Sequence, residues 1–152
     1  MPGLRPSKPF IEINEEIERY NPYRFEQFGA RYPDRIAVKS QHHELTYKEL
    51  NHASNHVART ILTYRGAGEE PVALLFDEGA PLIAAIIGVI KAGKIYISLD
   101  LSLPLHKITY MLEDMQAALI VTNNLNLSLA NELAQNTLRI NVAVVCIGDV
   151  LA

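Results

Sequence analysis

Between residues 46 and 62 apolar side chains return every three or four positions: Leu50, Ala53, Val57, Ala58, Ile61 and Leu62. That spacing lines them along one stripe and predicts an amphipathic helix. The helix opens at Thr46, whose hydroxyl forms a capping box with the Glu49 carboxylate three residues on, and it ends near Arg65-Gly66. Upstream, Asn21-Pro22 supplies an N-cap and a first-turn proline. Phe25, Phe28 and Tyr32 then repeat at helical spacing, and Pro33 marks the stop. Ile36-Ala37-Val38 and Glu44-Leu45-Thr46 read as two short strands, with Gln41, His42 and His43 at the turn between them.

From Val72 onward the pattern changes to short apolar runs alternating with helical segments. Strands are predicted at Val72 to Phe76, Ile95 to Leu99, Ala118 to Val121 and Val142 to Ile147. A helix opened by Pro81 and closed by Gly93 joins the first two. A second starts at Pro104 with a face of Leu105, Ile108, Leu112 and Met115, and a third runs from Leu127 to Ala134. Runs such as VALLF and VAVVCI are apolar on both faces, as a parallel sheet covered by helices on both sides requires. The fold class expected is therefore α/β, a mostly parallel doubly wound sheet with a small antiparallel hairpin near the N-terminus. The 81–93 helix is apolar around nearly its whole circumference, so protein must cover most of it. Met1 to Pro9 carries three prolines and a glycine. The expected organisation is a flexible arm over residues 1–20 and a single partial subdomain over 21–152.

Composition narrows the function classes. The 152 residues are 49% hydrophobic and 20% charged, ordinary globular material able to bury roughly 70% of its unfolded surface. A net charge of −3 with 14 scattered basic residues offers no stripe for a nucleic acid. The longest apolar stretch, Ala80 to Ile90, has 11 residues against the roughly 20 needed to span a bilayer, so no membrane association is expected. One cysteine excludes an internal disulfide framework, and a reduced, cytoplasmic setting is the expectation.

Candidate chemistry is sparse. His52 and His56 stand four apart on a helix, which is metal-ligand spacing, yet they face away from the apolar stripe and lack a readable third ligand. His42, His43 and His106 fall at a turn or a helix start. Gly66-Ala67-Gly68 is a lone G-x-G between helix and strand, the reverse of the order a dinucleotide fingerprint needs, and reads as a linker. Asp77-Glu78 and Glu69-Glu70 lie in loops with no assigned acid partner. Cys146 amid Val144, Val145 and Ile147 reads as a core thiol. Asp100 sits among turn-forming neighbours and reads as a structural carboxylate. No catalytic, cofactor-binding or metal-ligating residue is assigned.

Two segments carry a resemblance. Leu45 to Leu50 reads LTYKEL, and Ile90 to Asp100 reads IKAGKIYISLD, running on to Tyr110-Met111-Leu112-Glu113-Asp114. Together they resemble the first two core motifs of the amino-acid adenylation domains of nonribosomal peptide synthetases, a branch of the adenylate-forming superfamily. The second segment departs from the usual Val-Pro-(Leu or Ile)-Asp-Pro ending: Ser98 and Leu101 replace the prolines, and Asp100 is retained. The resemblance implies, for a complete domain, ATP and Mg2+, attack of an amino-acid carboxylate on the α-phosphorus, and transfer of the acyl group to a phosphopantetheine thiol. It also implies that the phosphate-gripping loop, the ribose-binding carboxylate and the catalytic lysine come later in such a domain, so none carries over to a position here. The expected function is thus a truncated N-terminal piece of an amino-acid-activating domain, inactive alone and without cofactor. The alternatives are one half of a split enzyme or a non-catalytic interaction or regulatory module. The partners implied are the remainder of an adenylation domain or a peptidyl-carrier protein.

Overall fold

The computed structural model describes residues 26–148 except 28 and 42. The expected arm over 1–20, the cap at Asn21-Pro22, and Phe25 and Phe28 lie outside those residues. Strands β1 (Ile36–Lys39) and β2 (Glu44–Thr46) pair antiparallel, Ile36 opposite Thr46 and Val38 opposite Leu45, with an irregularity between Ile36 and Val38. The expected hairpin is present.

Helix α1 (Tyr47–Arg65) starts where the capping box placed it. The Glu49 amide donates to Thr46 Oγ1 at 3.1 Å, and the Thr46 amide donates to Glu49 Oε1 at 2.9 Å. Leu50, Ala53, Val57, Ala58 and Ile61 are buried as the stripe requires. Leu62 is exposed, contrary to its place in the expected stripe. One step beyond Ile61 turns a side chain by about 100°, off the covered face. Ser54 fills that face instead, and its hydroxyl is satisfied by the Asn51 carbonyl at 3.1 Å.

The main sheet comprises β3 (Pro71–Leu75), β4 (Ile95–Ser98), β5 (Leu119–Thr122) and β6 (Ala143–Cys146). They are connected by α2 (Ala80–Lys91), α3 (Leu105–Met115) and α4 (Leu127–Asn136). The spatial order is β4-β3-β5-β6, with every neighbouring pair parallel. The chain leaves β3 in one direction and returns across it to reach β5. Right-handed crossovers in opposite directions put their helices on opposite faces, which is the doubly wound arrangement expected.

Two cores result. Val72 and Leu74 of β3, Leu119 and Val121 of β5 and Val145 of β6 share one with the buried sides of α1 and α2. Ala73, Leu75 and Ile120 share the other with Ile108, Leu112, Ala130 and Leu133 of α3 and α4. The central strands β3 and β5 are covered on both faces, which is why their sequences are continuously apolar. The last run, VAVVCI, is less buried than its composition suggests because β6 is an edge strand. Met115 also departs from expectation and is exposed, since α3 ends there and Gln116 turns into the left-handed region at φ 58°.

Candidate functional site

In an open parallel sheet the carboxyl ends of the strands are where loops part and a ligand can enter. Here the ends of β3 and β4 border a crevice of about 520 Å³ lined by Phe76, Asp77, Glu78, Leu82 and residues 98–102. Its charged groups are the carboxylates of Asp77, Glu78 and Asp100, and neither lysine nor arginine lines it.

The third carboxylate is committed to the chain itself. Asp100 Oδ1 accepts the Ser102 hydroxyl at 2.7 Å and the Ser102 amide at 2.9 Å. Those two bonds hold the Asp100 carboxyl below the ordinary carboxylate range and close the turn that leads into α3. The turn-forming reading of Asp100 matches this geometry, although the prolines usual at 98 and 101 are absent. Ser102 supplies the donors that fix the bend.

A triphosphate does not fit these groups. Binding one takes cations and convergent N–H donors, and three carboxylates around an opening repel it. Among the described residues no cluster of three or more His, Cys, Asp or Glu side chains is placed to hold a metal ion. His52 and His56 lie exposed on the outer side of α1. His43 and His106 are exposed at the hairpin turn and the start of α3, and His42 is outside the described residues.

Elsewhere the structure finds partners that sequence spacing did not reveal. Lys94, with its side chain wholly buried, donates through Nζ to the carbonyls of Gly66 and Gly68 at 2.8 and 2.6 Å and to Glu70 Oε2 at 3.0 Å. Arg65 grips Glu70 Oε1 through two nitrogens at 2.8 and 3.0 Å. Arg65, then Lys94, hold the Glu70 carboxyl below the ordinary range against the opposing effect of burial. Gly66-Ala67-Gly68 is therefore a structural linker, as expected, with its carbonyls serving as ligands for a buried ammonium. Lys91 donates to Asn51 Oδ1 at 2.6 Å and Asn55 Oδ1 at 2.9 Å, tying α2 to α1, and burial pushes its ammonium below the usual lysine range. Lysine-to-carbonyl and lysine-to-asparagine contacts spanning 26 to 40 residues leave no periodic mark in a sequence.

At the carboxyl ends of the central strands, Thr122 Oγ1 donates to the Leu75 carbonyl at 2.8 Å, stitching β5 to β3. Cys146 is half-buried, not a core thiol: it lies on edge strand β6 and donates to Asn124 Oδ1 at 3.2 Å.

The family of AMP-binding enzymes matches residues 25–150. The dimodular nonribosomal peptide synthase of Bacillus subtilis (strain 168) is 38% identical over 102 residues, 67% of this chain and 4% of that protein. N-(5-amino-5-carboxypentanoyl)-L-cysteinyl-D-valine synthase of Amycolatopsis lactamdurans is 36% identical over 114 residues, 73% of this chain and 3% of its own length. In the AMPPNP-bound nonribosomal peptide synthetase FmoA3 the similarity has a TM-score of 0.70 at 26% identity, covering 82% of this chain and 13% of that one. The anthranilate CoA ligase AuaEII shares the fold at TM-score 0.72 and 20% identity, with 84% and 25% covered. The sheet and its two helix layers are thus those of an adenylate-forming enzyme. The chain belongs to the AMP-binding enzyme family, and within it corresponds to the N-terminal part of the amino-acid adenylation domains of nonribosomal peptide synthetases. It spans only a few hundredths of the length of the synthetases it matches. Among its described residues no helix is long and apolar enough to cross a membrane.

Proposed function

We propose that this chain is the scaffold portion of an amino-acid-activating domain and does not adenylate on its own. The observation that carries this reading is the crevice at the ends of β3 and β4, which presents Asp77, Glu78 and Asp100 and no cation. Adenylation spreads negative charge over the phosphate oxygens as pyrophosphate leaves, and its stabilisation needs donors and cations aimed at those oxygens. In this proposal those groups, with ATP, Mg2+ and the amino-acid pocket, belong to further sequence of the domain, and the acyl group passes to a peptidyl-carrier protein only from the completed unit. The family match and the small share of each relative that is covered support that division.

The test is amino-acid-dependent exchange of pyrophosphate into ATP. The chain alone is expected to give none with any of the twenty common amino acids, whereas its mixture with the rest of an adenylation domain gives exchange. Exchange by the chain alone would overturn the proposal.

A further inference from the structure

The two borders of the main sheet differ. Ile95 of β4 and Leu99 just after it donate inward, to the carbonyls of Glu70 and Leu74 at 3.0 and 2.9 Å, which leaves the Ser98 amide outside. The motif that this strand resembles carries proline at that position, so this border is one that does without an outward donor. At the other border the Ala143 and Ile147 amides donate inward, to the carbonyls of Ala118 and Thr122, both at 2.9 Å. Alternation along a parallel ladder then turns the backbone groups of Val144 and Cys146 outward. Among the described residues no backbone group meets them. Natural sheets blunt such an edge with lysine, proline or a bulge, because open N–H and C=O groups template further pairing. AVVC has none of these devices. Side-chain cover gives out there too: Val144 packs partly buried on the second core, Val145 lies in the first, and Ala143 is exposed.

We propose that the outer edge of β6 is the seam at which the remainder of an adenylation domain adds its next parallel strand, with apolar cover for both faces. This rests on the scaffold reading above and names where its missing partner binds. The chain steps from β3 to β5 to β6, each strand farther from β4. Consecutive strands are neighbours roughly two-thirds of the time, so the same march carries the next one to the open side of β6. Both cores reach β6, one on each face, so a strand added there needs apolar cover on both sides. A lone peptide would satisfy the outward amides without supplying that cover. A second copy of this chain would meet the first along an edge of 4 residues, far short of the roughly 800 Å² per partner that a stable interface takes. The anthranilate CoA ligase, which shares this fold while the match takes 25% of its length, shows that such a scaffold occurs with three times as much further chain.

The experiment co-expresses the full chain with the part of the Bacillus subtilis dimodular synthase's adenylation domain that follows the matched segment. Complex formation, amide hydrogen exchange and pyrophosphate exchange are all measured. In the complex, amide exchange at Val144 and Cys146 is expected to slow about tenfold or more, with Ala143 and Val145 little changed. Cys146→Pro, which removes an outward N–H, is expected to weaken association about tenfold. Cys146→Ser keeps that N–H and is expected to leave association unchanged. Ala143→Lys puts a charge under the covering layer from a position exposed in the chain alone. It is expected to weaken association as much while barely moving the melting temperature of the chain alone, and it carries the test if Cys146→Pro does not fold. The seam is overturned if no complex forms, or if a complex forms without protecting Val144 and Cys146. It is also overturned if the chain alone dimerises through those amides. Protection of the edge without pyrophosphate exchange would uphold the docking edge and sink the scaffold reading. Pyrophosphate exchange that is indifferent to Cys146→Pro, with Val144 and Cys146 unprotected, would do the reverse.

Discussion

A Cβ placed on Gly88 would lie 2.5 Å from the Cβ of Val57, so α2 rests its backbone directly on an α1 side chain. The Ser54 carbonyl, 2.9 Å from the same point, closes the other side. Any side chain at 88 forces the two helices apart, and the whole first core lies beneath them. Gly88→Ala is expected to destabilise the fold by about 2 to 3 kcal/mol, as overpacking does, despite alanine's better helix propensity. Chemical denaturation measures it, and an alanine variant as stable as the parent would show that the helices are free to shift.

Glu70 makes the α1–β3 loop sensitive to acid. Its carboxyl is held low chiefly by Arg65 and then by Lys94. A carboxylate with a depressed folded pKa contributes stability that is complete above its unfolded value, about 4.3, and is lost as pH falls through the folded value. The melting temperature is expected to drop below about pH 4.3, and to drop less steeply in Glu70→Gln. At neutral pH that substitution is expected to cost about 2 kcal/mol, because Lys94 stays buried with only two carbonyl partners. Parallel acid profiles for the two proteins would sink this assignment.

The capping box at Thr46 and Glu49 closes two backbone donors at the start of α1. Thr46→Ala is expected to cost about 1 kcal/mol and to raise amide exchange first at Glu49, whose N–H loses its acceptor. Unchanged protection at Glu49 would mean that water replaces the hydroxyl without loss.

Periodicity made the elements legible. The stripe from Leu50 to Ile61, the capping box and the proline at the start of α2 each fix a local geometry that the surrounding fold leaves intact. The strand order was not written locally: VALLF and VAVVCI look alike, yet β3 is central and β6 is an edge, and burial differs accordingly. That is why Cys146 was expected deeper than it lies, whereas Met115 was expected deeper because the helical spacing did not mark where α3 ends. Gly88, Ser54 and Lys94 matter through contacts made across space, and their types gave no hint of the partner. At the candidate site, Asp100 was readable as a turn residue, but its meeting with Asp77 and Glu78 depends on β4 lying beside β3. The two quoted motifs located the family correctly because they encode this shared scaffold.

The most direct measurement is calorimetric titration of the isolated chain with ATP and Mg2+, with and without amino acids, followed by analysis for aminoacyl-adenylate. No saturable heat and no adenylate are expected. Saturable uptake accompanied by adenylate formation would contradict the account, because the charged groups that the described crevice presents to a triphosphate are all carboxylates.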